Sequence, residues 1–172
     1  MSNEEQLYTI TSGEIVPSKE WYLLYAQNIS RTRAALGSYQ WLLANLNEHS
    51  TSDDLLYFAR VDEALYKLEK WLEGRDLSRN YYLSQGEVAD LQNATQYFAA
   101  MCTRTPPGNL DTSFYGIIYR IHNRDSELMD DPQSEFFIMM RKLERQAQTL
   151  RIDADNALNL IKNLLEAHAK LR

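Results

Sequence analysis

The last fifth of this chain keeps a single rhythm. From Phe136 the positions Phe136, Met140, Leu143, Ala147, Leu150, Ala154, Ala157, Ile161, Leu164, His168 and Leu171 follow one another at spacings of four and three without a break. That alternation is the a/d seam of a long amphipathic helix, because 3.5 residues per repeat keeps one stripe on one face. Asp131 followed by Pro132 supplies an N-cap and a first-turn proline, and no further proline or glycine interrupts the chain to its last residue. The spacing therefore predicts one helix from about Pro132 to the C-terminus, a rod of roughly 60 Å at 1.5 Å per residue. A single domain of this length has a radius of gyration of about 15–16 Å, so such a rod either spans its own bundle or projects toward a partner.

A second long pattern stands near the front. Trp21, Tyr25, Asn28, Thr32, Ala35, Tyr39, Leu42 and Leu46 repeat the four-three spacing, with polar interruptions at Asn28 and Thr32 and a bend expected at Gly37. Ser18 after Pro17 reads as the N-cap of a helix reaching about Glu48. Between these two lie a helix over about 54–73, capped by Asp53 and stopped at Gly74, and another opening at the capping box Ser84 to Glu87 and ending before Pro106. A shorter helix is expected over about 111–123. Ahead of them, Tyr8 to Thr11 and Glu14 to Val16 are β-prone runs around Ser12-Gly13, the outline of a hairpin. Two short strands are marginal alone in water, so residues 1–17 read as an extended arm that either folds back on its own bundle or adds to a partner. The expectation is all-α: residues 18–172 as one antiparallel bundle of about five helices, with long first and last members.

Only six Gly and four Pro punctuate 172 residues, and 44% are apolar, which excludes a disordered chain and leaves few breaks for a many-stranded sheet. No stretch approaches the roughly 18 apolar residues that span a bilayer, and no basic segment leads into an apolar run at the start, so a cytoplasmic protein without a membrane partner is expected.

Catalytic and metal chemistry find little support. No Glu-x-x-His occurs, and His49, His122 and His168 lie far apart, so no ligand set for a metal in a helical bundle can be written. Gly-x-Ser-x-Gly and phosphate-cradling glycine loops are missing. Cys102, the lone cysteine, follows Met101 at the end of an apolar stripe, where a buried thiol is the ordinary reading. Glu127, Asp130 and Asp131 read as negative charge at a helix start. No catalytic residue and no cofactor is assigned, and a non-enzymatic role is expected.

Surface chemistry is more informative. Arginine outnumbers lysine twelve to six in a chain of net charge −6. Arg141, Lys142, Arg145 and Arg151 meet only Glu144 in the middle of the last helix, and Arg75 and Arg79 flank Tyr81 and Tyr82 in a loop. Arginine with aromatics suits phosphate or carboxylate recognition, while the net negative charge disfavours general attraction to nucleic acid. Trp41 lies off the seam of its helix, and Phe136, Phe137, Ile138, Met139 and Met140 are apolar around the whole circumference. One bundle cannot cover a helix from every side, and Trp, Tyr, Met and Arg are enriched where proteins meet. Trp41, Phe136, Phe137 and Met140 are therefore the expected interface, and Arg75, Arg79, Arg141, Lys142 and Arg145 the expected phosphate contacts. The functional expectation is a non-catalytic assembly or adaptor subunit, held by a protein partner or by further copies of itself. The alternative is a helical subunit touching a nucleic-acid backbone inside a larger complex.

Overall fold

Ser18 turns the chain from extended to helical. Its backbone is extended (φ −73°, ψ 162°) and its hydroxyl accepts the Trp21 amide at 3.1 Å, satisfying one of the amides that a helix start leaves open. This happens within a computed structural model that describes residues 8–11, 14–46, 52–74, 85–103 and 113–170. Strands β1 (Tyr8–Thr11) and β2 (Glu14–Pro17) precede helices α1 (Lys19–Ala44), α2 (Ser52–Glu73), α3 (Gln85–Thr103), α4 (Phe114–Arg124) and α5 (Glu135–Ala169), with a 3-10 turn at Ser126–Asp130 before α5. The fold is an all-α bundle with one small antiparallel hairpin.

Helix α5 is the axis of the packing. Helices α1, α3 and α4 all lie against it, and α2 packs on α1 and α3. Every seam residue from Met140 to Leu164 is buried, so the 35-residue helix, about 52 Å long, uses its heptads to hold its own domain together. The rod spans the bundle rather than leaving it. The indole of Trp21, early in α1, donates to the Leu160 carbonyl late in α5, which sets the two longest helices antiparallel.

Three aromatic rings from three helices meet at the other end. Tyr39 of α1, Phe58 of α2 and Phe114 of α4 lie with centroids 5.0–5.3 Å apart, and the Tyr39 hydroxyl donates to the Phe114 carbonyl at 2.7 Å. Such tilted and offset pairs add to area burial through the ring quadrupole, and the phenol escapes an unsatisfied burial. Nearer the middle, the Tyr25 hydroxyl meets that of Thr95 at 2.8 Å, joining α1 to α3. On the surface, Arg33 reaches from α1 to Asp62 at 2.9 Å and Glu69 at 2.7 Å on α2, with its guanidinium over the Tyr66 ring.

Several boundaries differ from expectation, each for a local reason. Helix α1 ends at Ala44, four residues early, because Asn45 caps it with its backbone amide and sends its side-chain amide to the Trp41 carbonyl at 2.8 Å. Helix α4 starts at Phe114 because Ser113 accepts the Gly116 amide at 2.9 Å. Helix α5 starts at Glu135: Ser134 accepts the Phe137 amide at 3.1 Å, whereas Asp131 accepts from Gln133 in a turn ahead of the helix. The cap expected at Asp131 is thus three residues further on. The polar interruptions of the first seam are buried, not exposed. Thr32 returns its hydroxyl to the Asn28 carbonyl at 2.6 Å and needs no outside partner. Helix α1 also runs through Gly37 without a break. Ser84 and Ser12-Gly13 lie outside the described residues.

The hairpin pairs Thr9 with Val16 and Ile10 with Ile15, and Ile15 is fully buried in the common core while Tyr8 packs at its edge. The described part of the arm, residues 8–11 and 14–17, thus lies back on its own bundle. Strand β2 touches both α1 and α5.

Candidate functional site

A helix that keeps a continuous buried seam normally turns charged or small residues outward. Helix α1 breaks that habit at Trp41, which is 64% exposed one turn before its end. Trp41 stands on the opposite side of the helix from Tyr39, which is fully buried among Phe58 and Phe114. It lines an open groove of about 540 Å³ between α1 and α5, with Ala34, Gly37 and Ser38 on one wall and Lys142 and Gln146 on the other. Small residues on the α1 wall leave the depth of this groove, and the antiparallel pairing of the helices puts the basic segment of α5 beside the indole. Among the described residues nothing requires the glycine: a Cβ added at Gly37 would meet no atom within 4 Å.

The basic segment is partly neutralised. Arg141 reaches Glu144 at 3.4 Å and lies over the Phe137 ring at 5.3 Å. Lys142 and Arg145 are exposed and have no carboxylate partner among the described residues. Arg151 does not continue the stripe. It hydrogen-bonds Tyr115, which draws that phenol's pKa down against the larger upward push of its burial.

The expected interface residues separate into two kinds. Trp41 is a surface residue; Met140 is not, being fully buried in the bundle's own core, so it has no surface to offer a partner. Phe136 and Phe137 are half-buried, Phe136 against the core. Ile138, between them and the basic segment, is 44% exposed. The collar of apolar residues is thus covered on one side and open on the other. Arg75, Arg79, Tyr81 and Tyr82 lie outside the described residues, as do His49 and the side chain of His168. His122 is exposed on α4.

Cys102 is fully buried, and burial raises its thiol pKa far above the ordinary range, with Asp155 and Asp153 adding to the shift. Burial thus favours the neutral thiol. Among the described residues no three His, Cys, Asp or Glu side chains converge as a metal site would need. No described helix is long and apolar enough to cross a membrane.

A second groove, of about 470 Å³, runs between α2 and α3 with Leu68, Trp71 and Leu91 in its floor and Lys67 and Asp90 on its rim. Sequence reasoning missed it, although Trp71 and Tyr97 fall outside the buried stripes of their helices and were the signal that those helices part on one side. No family model, no curated protein and no solved structure matches this chain.

Proposed function

We propose that this protein is a non-catalytic assembly subunit, held in a larger complex through the outer face that α1 and α5 share. The observation that carries the reading is Trp41: a tryptophan more than half exposed, on a helix whose other aromatics are buried, in a groove it shares with Lys142, a cation with no carboxylate partner among the described residues. An exposed indole adds little to the folded chain, and tryptophan is among the residue types enriched at the centres of interfaces. The test is the mass of the complex recovered from cells with Trp41→Ser. The association should weaken about 30-fold, the 2 kcal/mol of an anchor residue, while helicity and thermal midpoint stay put. An unchanged complex contradicts the reading.

A second reading follows from Lys142 beside that indole, with Arg145 exposed three residues further along α5; cations next to an aromatic ring suit a phosphate backbone and a stacked base. Its test is a fluorescent oligonucleotide in low salt. Binding that falls steeply with salt supports it, and no binding at low salt removes it.

A further inference from the structure

Helix α1 packs against α2 and α5, and α3 packs against the same two, so the four long helices close a ring in the order α1, α2, α3, α5. The groove between α2 and α3 therefore opens on the side of the bundle opposite the one that carries Trp41. Its apolar surface follows helical spacing on both walls, with Ala64, Leu68 and Trp71 on α2 and Leu91, Ala94 and Tyr97 on α3. Leu68 and Leu91 are buried at its base, while Tyr97 is 50% exposed at its rim. Ala64 and Ala94 add only a methyl each, which lets a third backbone come close.

The charges on the two walls are segregated. Trp71 lies against Tyr22 near the start of α1 and Phe58 against Tyr39 near its end, so α2 runs antiparallel to α1. Helix α3 runs parallel to α1: Thr95 meets Tyr25, and Cys102, two turns on, lies close to Asp153, whose charged neighbour on α1 is Arg31. The walls are thus antiparallel to each other. Arg60 stands at the Tyr97 end of the groove, and Glu87 and Asp90 stand at the Trp71 end. Lys67 is held by Glu63 at 3.3 Å, whereas Arg60 and Asp90 have no ion-pair partner among the described residues. One end offers an open cation and the other an open anion.

We infer that this groove is a second docking site, and that its occupant is an amphipathic helix of a partner protein with a base toward Glu87 and Asp90 and an acid toward Arg60. The stripe from Arg60 to Trp71 rises about 16 Å, three turns of a helix. A helix satisfies its own backbone in such a groove. An extended segment would leave amides and carbonyls unpaired, because two helical walls present no strand edge. The opposite charges at the two ends select a helix charged in two halves, since a uniformly acidic or basic one would set like charges together at one end. The site stands independently of the Trp41 reading, and with it one chain would join two partners from opposite sides.

Three stapled helical peptides of about 11 residues test this. They share one leucine stripe and differ only in flanking charge: bases in one half and acids in the other, acids throughout, or bases throughout. Fluorescence anisotropy with the full chain should find the two-halved peptide bound about tenfold more tightly than either other. Arg60→Glu makes both ends acidic and should transfer the preference to the basic peptide. Glu87→Lys with Asp90→Lys makes both ends basic and should transfer it to the acidic one. Ala94→Trp, which fills the groove, should abolish binding, and Trp41→Ser should leave all three affinities unchanged. The inference is overturned if no peptide binds up to about 1 mM, the weak limit of specific association. It is equally overturned if the preference ignores Arg60→Glu, or if Trp41→Ser removes the binding. A dimer of the isolated chain that Ala94→Trp dissolves would give the groove to a second copy and overturn it too. None of these results bears on whether a complex from cells depends on Trp41, so the two readings fail separately.

Discussion

Trp21 and Leu160 stand 139 positions apart, and the Trp21 indole Nε1 donates to the Leu160 carbonyl at 3.1 Å with both groups buried. The bond pins the start of α1 to the far end of α5 and fixes their antiparallel register, while the ring stacks on Tyr25 at 5.1 Å. Trp21→Phe keeps an aromatic ring but removes the donor and the five-membered half of the indole. It should cost about 1 kcal/mol from the lost hydrogen bond plus a smaller packing loss. Trp21→Ala should cost about 3–5 kcal/mol, as core aromatics do. Denaturant unfolding reads both, and a neutral Trp21→Ala would show that the two helix ends do not depend on each other.

The hairpin offers a second test. Ile15 is fully buried although it sits on a two-stranded ribbon, so the ribbon is ordered by the bundle. Ile15→Ala should destabilise the whole domain by about 2–5 kcal/mol. It should also expose residues 8–17 to limited proteolysis before any helix is cut. Cleavage of the wild type there at the same rate would contradict the packing.

Gly37 predicts the opposite sign. A mid-helix glycine costs about 1 kcal/mol relative to alanine, and an added Cβ meets nothing within 4 Å. Gly37→Ala should therefore raise stability by about 0.5–1 kcal/mol in denaturant melts. A loss would mean that α1 bends or is approached closely at this position.

Asp153 supplies the pH dependence. It is only 7% exposed on α5; burial raises its carboxyl pKa above the ordinary 3.8, and Arg31 only partly offsets the shift. The folded chain thus holds this proton more tightly than the unfolded chain. Its stabilising contribution is complete below 3.8 and is lost as pH rises through the folded value, so at pH 7 the ionised group costs stability. Asp153→Asn should raise the thermal midpoint at pH 7, and the gain should shrink as pH falls toward 3.8. A gain that does not change with pH would assign the effect to packing.

The seam of α5 was legible because eight consecutive members from Met140 to Leu164 needed only the period of a helix to be placed. The helix class, the order of the elements and the Ser18 cap followed from equally local signals. The fate of the off-seam residues was not legible. Met140, Phe137 and Trp41 share the same apolar character, and only the positions of α1 and α4 decide that the first is sealed, the second half-covered and the third left open. The cap of α5 lies at Ser134, which accepts the Phe137 amide, and not at the expected Asp131, whose carboxylate accepts from Gln133 in the preceding turn; both residue types serve as caps, so composition does not choose between them. Asp153 gave no warning either, since its burial depends on a neighbouring helix.

Trp41 gives the most direct measurement. Of the three tryptophans, Trp21 is fully buried, Trp71 is half-buried against Tyr22, and Trp41 is 64% exposed. Iodide quenching of the dilute isolated chain should show one readily quenched component that disappears in Trp41→Phe. In the complex recovered from cells that component should be protected, because the indole is covered by the partner. A Trp41 as open to iodide in the complex as in the isolated chain would contradict the assembly role.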